Sequence, residues 1–431
     1  MSSIIPSLPF DKPPRFSLDL AGVSSLLGGE EALSAMTAVH VYGKRRWLGW
    51  FNNPGSFQMA KRLNAFAKSA SFKPVSKGTE IDPTALIGLD SFKGPKFRAA
   101  HSGTVIQETS YLASLFVKGC AALEPEGKVV PGRRTQPVAV TVADLGSAPA
   151  PEIHPARSNV STLLLAYIPI LTSFGACALC AIGEDWYASS LILVGIIAGG
   201  ASGLVVGSAD FVFTHPEPAK GSPAGDGVLG TDNDIILLRG TESAVNSITR
   251  GKFTLRFSSE GQSNLEWCSF LFFIQSLTQL FLIPQASLFG QIIFLTSIAV
   301  SALYNAWLSS LDKETIHRKM LFGRVLENPT IAKYTLGTRT AAVVFILLVL
   351  KPSDPAGLLN ELLPNDTKVW IQWKATILNA LRQPSDQSFQ VGNLVDLNGF
   401  TEQERNLLGL LHEDARAAYN GYKGYLQTNS V

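Results

Sequence analysis

The longest uncharged stretches decide the class of this chain. Val160–Ile182 holds no charged side chain over 23 positions, and at about 1.5 Å per residue such a helix covers the ~30 Å hydrocarbon core of a bilayer. After Gly183-Glu184-Asp185 a second uncharged run extends from Trp186 to Gly207, opening with an aromatic pair of the kind found at headgroup level. So short a link predicts an antiparallel hairpin. Trp267–Leu308 adds 42 residues without a charge, too long for one crossing and broken by Ile283-Pro284-Gln285. It predicts a second hairpin, Trp267–Ile283 and Gln285–Leu308. Tyr334–Leu350 ends in an intensely apolar core but carries Arg339, which leaves 11 uninterrupted apolar residues. Three readings fit it: a short span, a re-entrant segment or a buried helix.

The expected fold is therefore mainly α: a polytopic membrane protein of two transmembrane hairpins and a candidate fifth span, with small α+β cytoplasmic segments. The expected divisions are a basic, aromatic N-terminal region (1–157), hairpin one (158–207), a β-rich loop lobe (208–266) and hairpin two (267–308). A basic helix (309–333), the fifth segment (334–350) and a C-terminal helical appendage (351–431) complete the chain. Overall composition, 46% hydrophobic and 16% charged, agrees with a membrane class. Met1–Phe10 lacks the basic and apolar regions of a cleaved signal, so delivery is expected through the first internal span.

Charges in the connections set the orientation. The hairpin links hold no Lys or Arg, whereas Ser208–Glu266 carries Lys220, Arg239, Arg250, Lys252 and Arg256, and the segment after span four carries Lys313, Arg318, Lys319 and Arg324. Basic connections stay on the cytoplasmic side, which places these and the N-terminus in the cytoplasm. A fifth span would put the last 81 residues on the other side and make Asn365-Asp366-Thr367 a glycosylation acceptor.

Inside the spans, small and polar residues form stripes. Gly195, Gly199, Gly203 and Gly207 are three overlapping G-x-x-x-G units that clear one face of span two for another backbone. That face fits either dimerisation or packing within the chain, and packing against spans one, three or four is favoured. Gln275 and Gln279 lie one turn apart on span three, and Ser297, Ser301 and Asn305 share a face of span four. Lipid cannot satisfy such groups, so they are expected to meet inside the bundle. Their readings are interhelical hydrogen bonding or a polar pathway. None of the four spans holds an ionisable residue, which argues against ion-coupled transport.

The stretch 41–100 holds eleven Lys and Arg against Glu80, Asp82 and Asp90, with aromatics interleaved. Lys44, Arg45, Arg46, Trp47, Trp50, Lys61 and Arg62 are its candidate contacts with anionic lipid headgroups, through a helix at Ser56–Ala70 lying on the bilayer surface. Nucleic acid is not expected, given a net charge of only +2. Further elements are read at Thr104–Leu123 (helix), Val138–Val142 and Asp234–Leu238 (strands), Thr241–Thr249 (capped turn), Lys252–Phe257 (period-two strand), Thr367–Leu381 (helix) and a capping box at Thr401–Glu404.

Candidate chemistry is sparse. Cys177 and Cys180 lie within span one without companion ligands, so packing is expected rather than metal or redox chemistry. Asp232-Asn233-Asp234 has a metal-binding form but reads as a polar turn. No nucleotide, hydrolase or metalloprotease motif occurs, and neither cofactor nor metal is expected.

The strings KRRWLGWFNNPGS (Lys44–Ser56) and GTESAVNSITRGKFTLRF (Gly240–Phe257) resemble segments of uncharacterised multi-span membrane proteins of mushroom-forming fungi. The resemblance implies a fungal membrane protein and carries no activity. The leading reading is a non-enzymatic membrane protein whose cytoplasmic lobes bind lipid or protein, with homo-oligomerisation through span two as an option. The alternative is a transporter or membrane-embedded enzyme using the polar faces of spans three and four.

Overall fold

The computed structural model describes residues 28–42, 45–71, 79–81, 93–122, 128–146, 160–230, 234–257, 259–390 and 400–429. In chain order the elements used below are α1 (Gly29–Met36), α2 (Ser56–Ser71), β1 (Thr79–Ile81), β2 (Phe97–Ala99), β3 (Val105–Ile106), α3 (Tyr111–Ala122), β4 (Lys128–Val129) and β5 (Val138–Asp144). They continue with α4 (Val160–Ile182), α5 (Trp186–Val206), β6 (Asp210–Thr214), β7 (Gly227–Gly230), β8 (Asp234–Arg239), α6 (Glu242–Thr249), β9 (Lys252–Phe257) and α7 (Ser259–Leu282). The last are α8 (Leu288–Ser309), α9 (Lys313–Met320), β10 (Thr330–Leu336), α10 (Arg339–Leu350), α11 (Pro355–Leu362), α12 (Lys368–Arg382) and α13 (Glu402–Asn429). They divide into two units. One comprises Met1–Ser91, Pro151–Phe213 and Phe253–Ile316, the other Phe92–Ala150, Thr214–Lys252 and His317–Val431.

In the first unit four helices are long and apolar enough to cross a membrane: Leu164–Ile182, Trp186–Val206, Ser263–Gln285 and Leu288–Ser309. Their polarity is inverted relative to a soluble bundle. Leu164, Ile168, Leu171 and Phe174 of α4 and Leu280 and Phe281 of α7 face outward, while Gln275, Gln279, Ser297, Ser301 and Asn305 are buried. That pattern suits a hydrocarbon surround, where outward apolar side chains cost nothing and polar ones must find partners inside. The two hairpin links are tied by Asp185. Its carboxylate caps α5 at the Ala188 amide (3.1 Å) and accepts from the Ser287 amide (2.8 Å) and hydroxyl (2.6 Å). Ser287 in turn caps α8 at Gly290 (3.1 Å). One carboxylate thus serves two helix N-termini, where the dipole favours negative charge.

The second unit is built on a seven-stranded sheet in the order β3-β2-β7-β8-β5-β10-β4. β5 and β8 are parallel, with Val140 opposite Ile235, and β5 and β10 are antiparallel, with Val140 opposite Tyr334. Three distant stretches of chain therefore share one sheet. α10 contacts β5, β8 and β10 and also α11, α12 and α13, and every residue from Thr340 to Leu350 is buried. A helix that is apolar all round has this destination in a large core as readily as in a membrane. Around it pack Trp373, whose indole donates to the Leu411 carbonyl (3.1 Å), and the rings of Tyr334, Phe345 and Tyr425. The Thr401-Glu404 capping box starts α13: the Thr401 amide donates to Glu404 (2.8 Å) and the Glu404 amide to Thr401 (3.3 Å). The bonds its carboxylate accepts from the Thr401 amide and from the Thr401 hydroxyl (3.0 Å) hold the Glu404 carboxyl below the usual carboxylate range.

Several expectations change. Of the three readings of Tyr334–Leu350, burial selects the core helix. Its first residues belong to β10, and the 12 residues of α10 reach only about 18 Å, too short to cross. The basic segment 309–333 is not one helix but α9, a π turn (Leu321–Val325) and the start of β10. The loop 208–266 is not a separate lobe. It is shared between the second unit's sheet and a three-stranded sheet, β1-β9-β6, of the first. Thr104–Leu123 gives a shorter helix, α3, preceded by β3. Asp232 lies outside the described residues.

Removing Arg133 should loosen the second unit. Its guanidinium donates to the buried Asp414 carboxylate on α13 (2.8 Å), and an orphaned buried carboxylate typically costs about 3 kcal/mol. Hydrogen exchange should accelerate through α13 in Arg133→Ala and recover partly in Arg133→Lys.

Candidate functional site: a polar segment inside the helical bundle

The face of the four glycines of the second span is covered by the chain's own His40 and residues 46–53. Arg46 donates from Nε to the Gly207 carbonyl (2.9 Å) at the end of that span. A methyl group added at Gly203 would come 2.9 Å from the His40 ring, and one at Gly199 would come 2.6 Å from the Phe51 carbonyl oxygen. At Gly195 it would overlap the Asn52 carboxamide. From Gly207 to Gly195 a helix falls by about 18 Å. Residues 46–52 therefore descend from one end of the bundle to its middle.

There the chain turns at Asn53-Pro54-Gly55. Gly55 has φ +68°, and the Gly29 backbone occupies the place of its missing side chain. Any other residue would meet both a strained backbone and a collision. The chain returns as α2, which packs along α7: the Ser56 hydroxyl donates to Gln279 Oε1 (2.9 Å), and Ser269 farther up α7 donates to the Ala60 carbonyl (2.8 Å). Met59, Leu63 and Ala67 are the buried stripe of α2, and their spacing gives a helix face of period 3.6.

Asn52 and Asn53 draw the four long helices together. The Asn52 amide donates to Ser173 of α4 (3.0 Å), whose hydroxyl meets that of Ser297 of α8 (3.2 Å). Gln275 of α7 donates to both Asn52 Oδ1 (3.2 Å) and the Asn53 carbonyl (3.1 Å), and Asn305 of α8 donates to Asn53 Oδ1 (3.2 Å). Irregular backbone at this depth needs such partners, because hydrocarbon offers none.

The hydrogen bonding is nevertheless incomplete. Asn52 Nδ2, Ser202 Oγ, Gln275 Oε1, Gln279 Nε2, Gln291 Oε1, Ser301 Oγ, Tyr304 OH and Asn305 Oδ1 are buried without a protein partner. A cavity of about 10 Å3, bordered by His40, Gly49, Asn53, Gly199, Tyr304 and Asn305, adjoins the last two of them. It has room for about one water.

Of the residues expected to touch lipid headgroups, the structure places several elsewhere. Trp50 is half-buried, with its indole where a Gly200 side chain would be, and Arg46 is exposed while its Nε bonds to Gly207. Trp47 is exposed, and so are Lys61 and Arg62, the latter paired with Glu30 (3.0 Å). Arg45 is half-buried, its carbonyl receiving the His40 ring nitrogen (2.8 Å). Lys44 lies outside the described residues. Gln275, Gln279, Ser297, Ser301 and Asn305 all face the bundle interior. Asn365 is exposed in the link between α11 and α12. Cys177 and Cys180 are free thiols, and among the described residues no three His, Cys, Asp or Glu side chains group as metal ligands.

Asn52, Asn53, Ser56 and Ser173 were not singled out in the sequence. The available signal was a polar Asn-Asn-Pro-Gly string inside an aromatic run, together with a glycine face that needed a backbone partner.

The inserted segment can be tested by cysteine accessibility in a variant lacking the four native cysteines. Trp47→Cys should react with a membrane-impermeant maleimide, and Leu48→Cys and Phe51→Cys should be protected. Gly199→Leu should expel the segment, exposing position 51 to the reagent and costing roughly 1–3 kcal/mol of stability through overpacking.

No family model matches the chain, and no curated protein or solved structure matches it either.

Proposed function

We propose that this is a non-enzymatic multi-pass membrane protein whose inserted segment and polar span faces conduct a small uncharged polar solute. The observation that carries the reading is the row of unpartnered buried polar atoms from Gln291 through Gln279, Gln275 and Asn52 to Ser301 and Asn305. Along α8 alone, Gln291 to Asn305 covers about 21 Å of helix rise. A solute that both donates and accepts hydrogen bonds could exchange partners along such a row. Unpartnered polar atoms at this density are costly in a bundle that serves only as an anchor. The solute is taken to be uncharged because the spans supply carboxamides and hydroxyls but no countercharge. With room for about one water beside Asn53, passage requires residues 46–55 to move.

This reading promotes the transport alternative above the lipid-binding one. The lipid-binding reading rests on the basic, aromatic stretch 41–100, in which Trp50 packs on span two and Arg46 bonds to Gly207 while Arg46, Trp47, Lys61 and Arg62 stay exposed, so it is kept as the second reading. The fungal origin implied by the two sequence strings stands as part of the same proposal.

Sidedness follows from the seven-stranded sheet. Residues 97–144, 227–239 and 330–336 pair within it, so these stretches share one side of any membrane that the spans cross. With the basic connections retained inside, that side is the cytoplasm. Helices α11–α13, and Asn365 among them, go with it.

The transport test is solute flux in proteoliposomes. Wild-type protein should raise the permeability to urea or glycerol, and Gln275→Leu/Gln279→Leu/Asn305→Leu should abolish that increase while remaining monodisperse. Flux unchanged in the triple variant would sink the proposal. For sidedness, glycosidase treatment of the expressed full chain should leave its mobility unchanged, and a shift that Asn365→Gln removes would refute the assignment.

A further inference from the structure

The second unit carries a cleft of about 500 Å3 that has no part in the bundle's chemistry. Among the described residues its charged lining is Lys96, Arg98, Arg339 and Glu361. Glu361 pairs with Lys96 (2.6 Å) and with Arg98. Three cations thus face one carboxylate. Arg339 is exposed at the first turn of α10, whose N-cap is Thr338, so its charge and the positive end of a 12-residue helix act on the same space. The rest of the wall is aliphatic, from Val138, Val228 and Ile235 of the sheet to Leu358 and Leu362 of α11.

Cleft size and lining select a ligand. The volume is in the range of small-molecule sites, in which apolar walls supply area and a few polar groups fix orientation. Excess positive charge at a helix N-terminus selects an anion. Arginine and lysine together suit phosphate, because the guanidinium fork matches two oxygens and the ammonium adds a point charge. An inorganic anion would leave the aliphatic wall unused.

We propose that this cleft binds a phosphate monoester carrying a compact apolar group, with the phosphate at Arg339 and Lys96 and the apolar group over Val138, Val228 and Leu358. Gly230 lines the cleft, and among the described residues other than its chain neighbours no atom lies within 4 Å of where its side chain would begin. A large side chain there begins in open space on the cleft wall. The proposal is independent of the transport reading, since none of these residues belongs to the bundle unit.

The test is calorimetry on the full chain in neutral phosphatidylcholine nanodiscs, with phenyl phosphate as probe. Phenyl phosphate should bind saturably, at least tenfold more tightly than inorganic phosphate or phenol. Arg339→Gln and Gly230→Phe should each weaken it at least tenfold, with circular dichroism and thermal unfolding unchanged. Equal affinity for inorganic phosphate, equal affinity for phenol, wild-type binding in both variants, or no saturable binding would each overturn the proposal. Discs containing phosphatidic acid separate the sources of such a group: loss of phenyl phosphate binding there assigns the site to a lipid phosphate, and persistence assigns it to a soluble ester.

Discussion

The Asn52-Asn53 peptide segment lies in the middle of four apolar helices, and the packing of the bundle unit follows from satisfying it. Irregular backbone at that depth exposes amides and carbonyls that hydrocarbon cannot solvate. Ser173 and Gln275 answer two of those groups and Asn305 holds the Asn53 side chain, and the glycine face of the second span lets the backbone come close enough for the rest of the segment to be enclosed. The stripe of small residues and the stripes of carboxamides and hydroxyls are therefore parts of one device. Each is unfavourable alone: glycines weaken a helix, and buried amides cost free energy when unpaired.

The remaining unpaired atoms give the bundle its chemical character. Ordinary membrane bundles bury polar residues in mutually satisfied pairs. Here donors and acceptors are left over on both sides of Asn52, next to a cavity of about 10 Å3. Asp185 closes the opposite end by binding both hairpin links, which leaves the inserted segment as the part of the unit held mainly by side-chain hydrogen bonds.

The second unit is organised by α10. Its eleven consecutive buried residues need an apolar surround on all sides, and the sheet together with α11, α12 and α13 supplies it. Strands from three separated stretches of sequence are recruited for that purpose, and β5 gains a parallel partner from residues 234–239 and an antiparallel one from residues 330–336. The sheet's assembly and the number of chain crossings are therefore linked, since a strand delivered to the wrong side of a bilayer could not pair.

Local patterns decided much of this before any packing was considered. The first two spans were legible because uncharged runs bounded by Glu184-Asp185 and an aromatic pair have few other destinations. Strands are legible at 138–142 and 234–238, inside the longer β5 and β8, and at 252–257 from alternation, and α12 and α13 from periodicity and a capping box. The glycine face was legible as a surface without a side chain. What would fill it was not, because Gly195 and Asn52 are 143 positions apart in the sequence, and nothing local pairs them. For the same reason the contacts that Arg46 and Trp50 make with span two, at Gly207 and Gly200, are not legible in the basic, aromatic pattern of their own segment. Hydrophobicity alone could not separate a membrane span from a core helix at 339–350 either. Length argued one way and apolarity the other, and only the sheet and the C-terminal helices around α10 settled it, by providing a dry interior outside the bundle.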